Sequence, residues 1–477
     1  MNNQSELRQR LTSQWGDGAC LTEAIDRAPF ETDFRKLFHG EALAILQPSS
    51  VTELQSMVRF ASDHRLVMVP AGGNTSYCGG AAPDKSGNNL IISLKRLNKI
   101  RSKDPLGYTL TAEAGCTLAS VQEAAESVER YFPLALGSQG SCQLGGNLST
   151  NAGGTSVLRY GMMRDLVLGL EVVLPDGRLL NQLNGLRKDN TGFDVKQWFI
   201  GAEGTLGIIS AATLKLFPKP TQYSTAMIGV AHIGAAVDLL SRLREHFGDV
   251  IESFEFLPES ATELARQHLK LRDPFETSPP PARVLLECAQ PRAWPELPER
   301  LAHVLMKLIE SGLVLDVAMA NSDRERDHFW SIRERIPEAQ TLEGASIKHD
   351  ISLPIGQLAT FVSEAARVVQ ATIPGARIIN YGHVGDGNLH YNLSPPCGTT
   401  KGSEAERQFL SNQSAITKKI HDLAASLGGS FSAEHGIGQL KVKELERYED
   451  PVALELMKKL KVAIDPLNLM NSGKVVK

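Results

Sequence analysis

After about residue 38 the chain alternates short apolar runs with turn residues, and the lengths of those runs say what they form. Residues 1–38 read as a helical lead-in. Ala42 to Leu46 is five apolar residues, a strand. Val51 to Asp63 carries its apolar residues at helical spacing, and Leu66-Val-Met-Val-Pro70 is a second apolar run that ends directly on glycines. This predicts a strand–helix–strand unit, and ligands favour the ends of such strands. Further strands fit Leu90 to Leu94, Tyr108 to Ala112, Leu166 to Leu174 and Gly207 to Phe217. Pro218-Lys-Pro220 stops the last of these, so a first domain is drawn over residues 39–220.

From 221 to 421 strands such as Ser224 to Val230 and Val284 to Ala289 alternate with amphipathic helices such as Ala235 to Phe247 and Leu297 to Gly312. This predicts an α+β domain, an antiparallel sheet backed by helices. Pro279-Pro-Pro281 and Pro395 to Gly402 read as exposed loops. Residues 403–427 read as one helix and Val452 to Val462 as another, so that 422–477 forms a C-terminal helical segment.

Composition narrows the class. The 477 residues are 42% hydrophobic, enough for sizeable cores in several domains. Lysine and arginine number 50 against 54 acidic residues. A net charge of -4 predicts no nucleic-acid footprint and no polybasic membrane targeting. No apolar run is long enough to span a bilayer. The six cysteines, Cys20, Cys78, Cys116, Cys142, Cys288 and Cys397, are widely separated, with no Cys-x-x-Cys pair and no secretory signal before them. They read as free thiols of a soluble cytoplasmic protein.

Three glycine clusters carry the first candidate chemistry: Pro70-Ala-Gly-Gly-Asn-Thr-Ser-Tyr-Cys-Gly-Gly80, Gly145-Gly-Asn-Leu-Ser-Thr-Asn-Ala-Gly-Gly154 and Gly201-Ala-Glu-Gly-Thr-Leu-Gly207. Glycine admits positive φ and lets backbone N–H groups converge, which is what a pyrophosphate requires; threonine, serine and asparagine add donors. None of the three has the dinucleotide fingerprint or a Walker A lysine. Taken singly, each is equally a tight turn. In order and wording, the clusters over residues 39–217 resemble the flavin domain of the vanillyl-alcohol oxidase and p-cresol methylhydroxylase superfamily. The resemblance implies a two-subdomain FAD-binding domain, with Pro70, Gly72, Gly73, Asn74, Thr75 and Ser76 around the pyrophosphate. It places Gly146, Asn147, Thr150, Gly153, Gly154, Glu203, Gly204 and Ile209 along the rest of FAD. Members with covalent flavin usually carry a histidine in the first loop. No histidine lies between His64 and His232, so non-covalent FAD is expected.

The second candidate chemistry is Gly382-His-Val-Gly-Asp-Gly-Asn-Leu-His390, two imidazoles seven residues apart. A helix across Gly382, Gly385 and Gly387 is costly, and on a single strand an odd separation puts the rings on opposite faces. A strand, a Gly-Asp-Gly turn and a second strand would let both rings aim at one point. Farther on, Ser432-Ala-Glu-His-Gly-Ile-Gly438 sets Glu434 beside His435. Two histidines and a carboxylate suit a catalytic divalent metal such as zinc, and they also suit hydrogen-bonded structural histidines.

Together with the flavin pattern, these two stretches resemble the D-2-hydroxyacid dehydrogenase branch, which includes D-lactate and D-2-hydroxyglutarate dehydrogenases. That resemblance implies His383, His390 and Glu434 as ligands of zinc or another divalent metal and His435 as the base. It places Arg333, Lys348, Asn388 and Asn392 around a D-2-hydroxy acid, D-2-hydroxyglutarate first. For Arg333 alone, flanked by Glu334 and Arg335, a solvated helix face is the plainer reading. Relatives specific for hydroxyglutarate should carry threonine four residues after the arginine. This chain has Pro337, which keeps D-lactate as the alternative. With no haem, iron–sulfur or NAD motif, electrons are expected to leave FAD for an external acceptor: an electron-transfer flavoprotein, a quinone or a cytochrome. A homodimer is compatible with the sequence. A metal-dependent hydrolase would leave the glycine clusters without purpose, and a non-catalytic flavoprotein subunit would need no metal set.

Overall fold

The computed structural model describes residues 2–275 and 278–477. The chain forms two compact units, Met1–Gly154 with Gly161–Lys219 and Glu434–Lys477, and Thr155–Tyr160 with Pro220–Ala433.

Among the described residues the first unit holds two larger sheets and a two-stranded pair, Arg130–Tyr131 with Phe217–Pro218. Strands Ala42–Leu46, Asn89–Ser93 and Val67–Ala71 run parallel, with Asn89–Ser93 in the middle. Both flanks of a parallel sheet are covered, and the uninterrupted runs Ala-Leu-Ala-Ile-Leu and Asn-Leu-Ile-Ile-Ser are buried along their whole length. The short strand Cys20–Leu21 adds antiparallel to Ala42–Leu46, so the lead-in is partly built into this sheet. The crossover helix Val51–Asp63 starts where expected because Ser50 caps it: its hydroxyl accepts from Glu53 N–H while the Glu53 carboxylate accepts from Ser49 N–H. The second sheet is antiparallel, in the order Ile100–Asp104, Thr109–Glu113, Ile208–Lys215, Val167–Val173, Leu179–Gln182.

The second unit is built on an antiparallel sheet in the order Ile251–Pro258, Ala282–Gln290, Gln222–Val230, Asp316–Met319. One face packs on Ile233–Phe247 and Leu297–Glu310, the other on Glu259–Leu269, Asp323–Glu334 and Ile336–Glu343. A three-stranded sheet, Asp350–Ser352, Asn388–Ser394, Arg377–Tyr381, joins it through paired backbone bonds between Phe256 and Gly382.

Two local expectations change. The helix expected over 403–427 is two, Glu404–Ser411 and Gln413–Ser426. At the break Asn412 N–H bonds the carbonyl of Phe409, a tightened last turn, and its side chain takes the carbonyl of Gln408. In the proline run, Pro279 and Pro281 are exposed but Pro280 is buried, packed against the bare face of Gly229. All six cysteines are free thiols, and only Cys397 is exposed. No described helix is long and apolar enough to cross a membrane.

Candidate active site

In the first unit the three glycine clusters meet. Gly204, at φ +73°, lies against Pro70 at the end of a parallel strand, and Gly72 faces the backbone of Gly146. Glu203 N–H donates to Ser149 O and Gly201 N–H to Leu148 O, tying the third cluster to the second. Gly73 is required by close approach, since a Cβ there would stand 2.0 Å from the carbonyl of Ser141. Gly154, at φ +125°, would meet the carbonyl of Ala135 at 2.1 Å. Gly146 is different: nothing lies within 4 Å of its missing Cβ, so protein packing does not demand a glycine there.

Among the described residues, none of the backbone N–H groups of Gly73–Tyr77 donates to a protein acceptor. Asn74, at φ +51°, directs its own amide to Thr32 O. A run of unspent donors beside an open glycine face fits a pyrophosphate. Thr75 and Ser76 are half-buried in this loop, and Gly153 and Ile209 are buried. Asn147 gives its amide to Cys142 Sγ at 3.6 Å, and the Thr150 hydroxyl donates to Gly146 O.

Glu434 and His435 open the final segment of the same unit, each half-buried, with ligand atoms within 4.8 Å of one another. The ring of Tyr77, next to the first glycine loop, meets His435 edge-on at 4.7 Å.

In the second unit the Gly382–His390 stretch is a strand, a turn and a strand, with Tyr381 paired to His390. Gly382 at φ +144° and Gly387 at φ +87° turn the chain, and a Cβ on Gly387 would meet Leu353 O at 2.2 Å. The two rings stand 5.5 Å apart, near perpendicular, with ring nitrogens within 4.8 Å.

His383 Nδ1 lies 2.7 Å from Glu255 Oε1, and the other Glu255 oxygen accepts from Arg333 Nε at 2.6 Å. Arg333 NH2 is 3.3 Å from His383 Nε2. A carboxylate only accepts, so Nδ1 carries the hydrogen; a guanidinium only donates, so Nε2 is a bare lone pair. Both neighbours select the same neutral tautomer, the form that ligates a metal. Burial opposes ionisation of Glu255, but when the His383 ring is protonated its charge, that of Arg333 and the hydrogen bonds from both outweigh it and hold the carboxyl down at about 2. Burial pushes Asp386, in the turn, up to about 6 against the pull of His383.

Arg333 is buried, on the last turn of Asp323–Glu334, rather than on a solvated face. Asn388 spends its amide on Asp350 Oδ1 and Ile351 O, while its own buried Oδ1 has no partner among the described residues. Asn392 donates to Gln340 Oε1 at 2.9 Å. Lys348 is exposed, on the extension of Asp350–Ser352. Sequence reasoning missed Glu255, Asp350 and Gln340. Glu255 left a signal: Phe254-Glu255-Phe256 is a charge between aromatics in a strand buried throughout its middle.

Comparison with known proteins decides the family. A family model described as FAD linked oxidases, C-terminal domain, matches residues 219–475, and an FAD binding domain model matches residues 42–182. The chain belongs to the FAD-linked oxidase family. D-2-hydroxyglutarate dehydrogenase, mitochondrial, from Bos taurus is 36% identical over 96% of the chain and 81% of that relative. D-2-hydroxyglutarate dehydrogenase from Stutzerimonas stutzeri is 33% identical over 96% of each. p-Cresol methylhydroxylase with substrate bound is 16% identical, covers 99% of this chain and 97% of that one, and has a TM-score of 0.75. This FAD-linked oxidase is therefore an oxidoreductase of the D-2-hydroxyglutarate dehydrogenase group, with the α+β fold of p-cresol methylhydroxylase.

The expectation of a cytoplasmic location is overturned, because relatives of this FAD-linked oxidase from animals and plants are named as mitochondrial enzymes. Free thiols do not by themselves name a compartment.

Proposed function

We propose that this FAD-linked oxidase oxidises a D-2-hydroxy acid, D-2-hydroxyglutarate first, to the 2-oxo acid, and that its electrons leave for an external acceptor such as an electron-transfer flavoprotein, a quinone or a cytochrome. When bound, FAD supplies the acceptor for the two electrons and the hydrogen at C2, and a divalent ion supplies a Lewis acid beside the hydroxyl. FAD is held without a covalent bond, by the unspent N–H groups of the first glycine loop.

His383, His390 and Glu434 hold the ion in this reading. Within the second unit, Ala433 donates its N–H to the carbonyl of Asp350, and Asp350 pairs with His390 in the ladder. His435 accepts the hydroxyl proton on an imidazole nitrogen. Arg333 and Lys348 bind carboxylate, and the unpartnered oxygen of Asn388 offers an acceptor to a substrate hydroxyl.

The observation that carries the reading is the convergence of His383 and His390 with the tautomer of His383 already selected by Glu255 and Arg333. D-Lactate is the second reading, favoured by Pro337 where a hydroxyl for a distal carboxylate is absent. Anaerobic mixing of the holoenzyme with D- and L-2-hydroxy acids tests it through the flavin absorption. D-acids should bleach the flavin. Bleaching by L-acids alone would overturn the assignment, and the relative rates for hydroxyglutarate and lactate rank the two substrates.

A further inference from the structure

Glu203 has a buried side chain within a glycine-rich turn, at φ +50°. Its carboxylate oxygens are both engaged, Oε1 with Ile437 N–H at 2.6 Å and Oε2 with Gly438 N–H at 2.9 Å. Gly436 is glycine because a Cβ there would stand 2.7 Å from Glu203 Oε1. These residues follow directly on His435.

Two other segments close around the same loop. The carbonyl of Cys78 accepts from Gln439 N–H at 2.9 Å, and Cys78 Sγ donates to Gly436 O at 3.4 Å. Asn471 donates to Glu203 O at 2.8 Å, and Val475 N–H to Gly438 O at 3.0 Å. Lys474 Nζ reaches the carbonyls of Gly80 and Ala82. The tail is thus pinned to the end of the first glycine loop, and everything here belongs to one compact unit.

We propose that Glu203 is a positioning residue that clamps the His435 loop to the flavin cradle. Two adjacent N–H groups need two acceptor oxygens on one side chain, and buried bonds to a carboxylate are among the stronger ones. Glutamine is nearly isosteric but offers one oxygen and one NH2, so one N–H of the pair would face a donor. The clamp itself rests on this geometry; its effect on turnover rests on the reading of His435 as the base.

The test is Glu203→Gln in the full-length holoenzyme, with Glu203→Asp as the variant that keeps both oxygens. In Glu203→Gln, amide exchange of the 434–440 segment should speed up by about tenfold, the equivalent of about 1.4 kcal/mol. Flavin reduction at saturating D-2-hydroxy acid should slow by about tenfold, with substrate affinity changed less than about threefold and the flavin retained. Glu203→Asp should recover part of both. Unchanged exchange in Glu203→Gln would overturn the clamp. Flavin loss with a normal reduction rate per bound flavin would overturn it too, assigning Glu203 to the cofactor. A His435→Asn holoenzyme that reduced flavin normally would refute the base assignment, while the exchange measurement would still decide the clamp.

Discussion

Glu255 Oε1 lies 2.7 Å from His383 Nδ1, and Glu255 reaches that ring from a different sheet. The bridge between Phe256 and Gly382 makes the meeting unavoidable, since each is the chain neighbour of one partner. Glu255→Gln would leave Nδ1 facing an amide that can donate or accept, so the tautomer would no longer be selected. Divalent-metal affinity should drop about 10- to 100-fold. Metal content of the purified variant after dialysis against a weak chelator measures this without reference to turnover.

The same carboxylate predicts a pH dependence of stability. Its folded value, about 2, lies below the ordinary 4.5, so the stability it contributes is complete above about pH 4.5 and is lost as pH falls toward 2. The thermal midpoint of the wild type should decline across that window. Glu255→Gln should begin lower and decline less steeply.

Gly73→Ala tests the flavin cradle. Its Cβ would collide with the Ser141 carbonyl, a backbone atom that cannot swing aside as a side chain can. The loop must shift and its N–H groups with it. The flavin-to-protein ratio after gel filtration should fall, while Gly146→Ala, with no protein atom in its way, should lower it only by meeting the cofactor.

His435→Asn should retain FAD and metal yet slow flavin reduction by about 10²- to 10⁴-fold, the usual worth of a positioned base. Removing the metal with a chelator should slow reduction while the flavin spectrum stays, and added zinc should restore the rate. Stopped-flow absorbance follows both.

Pro337→Thr addresses the substrate. Pro337 lies in the first turn of Ile336–Glu343, where threonine is tolerated in place of proline, so the fold should survive. Four residues from Arg333, a threonine hydroxyl should lower the KM for D-2-hydroxyglutarate and leave that for D-lactate nearly unchanged. Steady-state kinetics with an artificial acceptor distinguishes the two.

The sequence by itself determined much of this protein, because the signals involved are local. Apolar runs of five residues between turns announced the parallel strands, the apolar spacing of Val51 to Asp63 announced a helix, and the glycines of 382–387 required a bend between two histidines. The three glycine clusters were legible as candidate cofactor-binding stretches because glycine reaches positive φ and bares its backbone more readily than any other residue. Only tertiary structure decided which groups those stretches meet. Glu255 lies 128 residues from His383, and Glu203 lies 234 from Ile437. Nothing in either local pattern names its partner. Arg333 shows the reason most plainly: flanked by Glu334 and Arg335 it has the composition of a solvated surface, yet its helix packs against a sheet carrying a buried carboxylate, and the charge goes inside to meet it. A buried ion pair is chosen by the geometry of two surfaces, which is a property of the fold and not of any window along the chain.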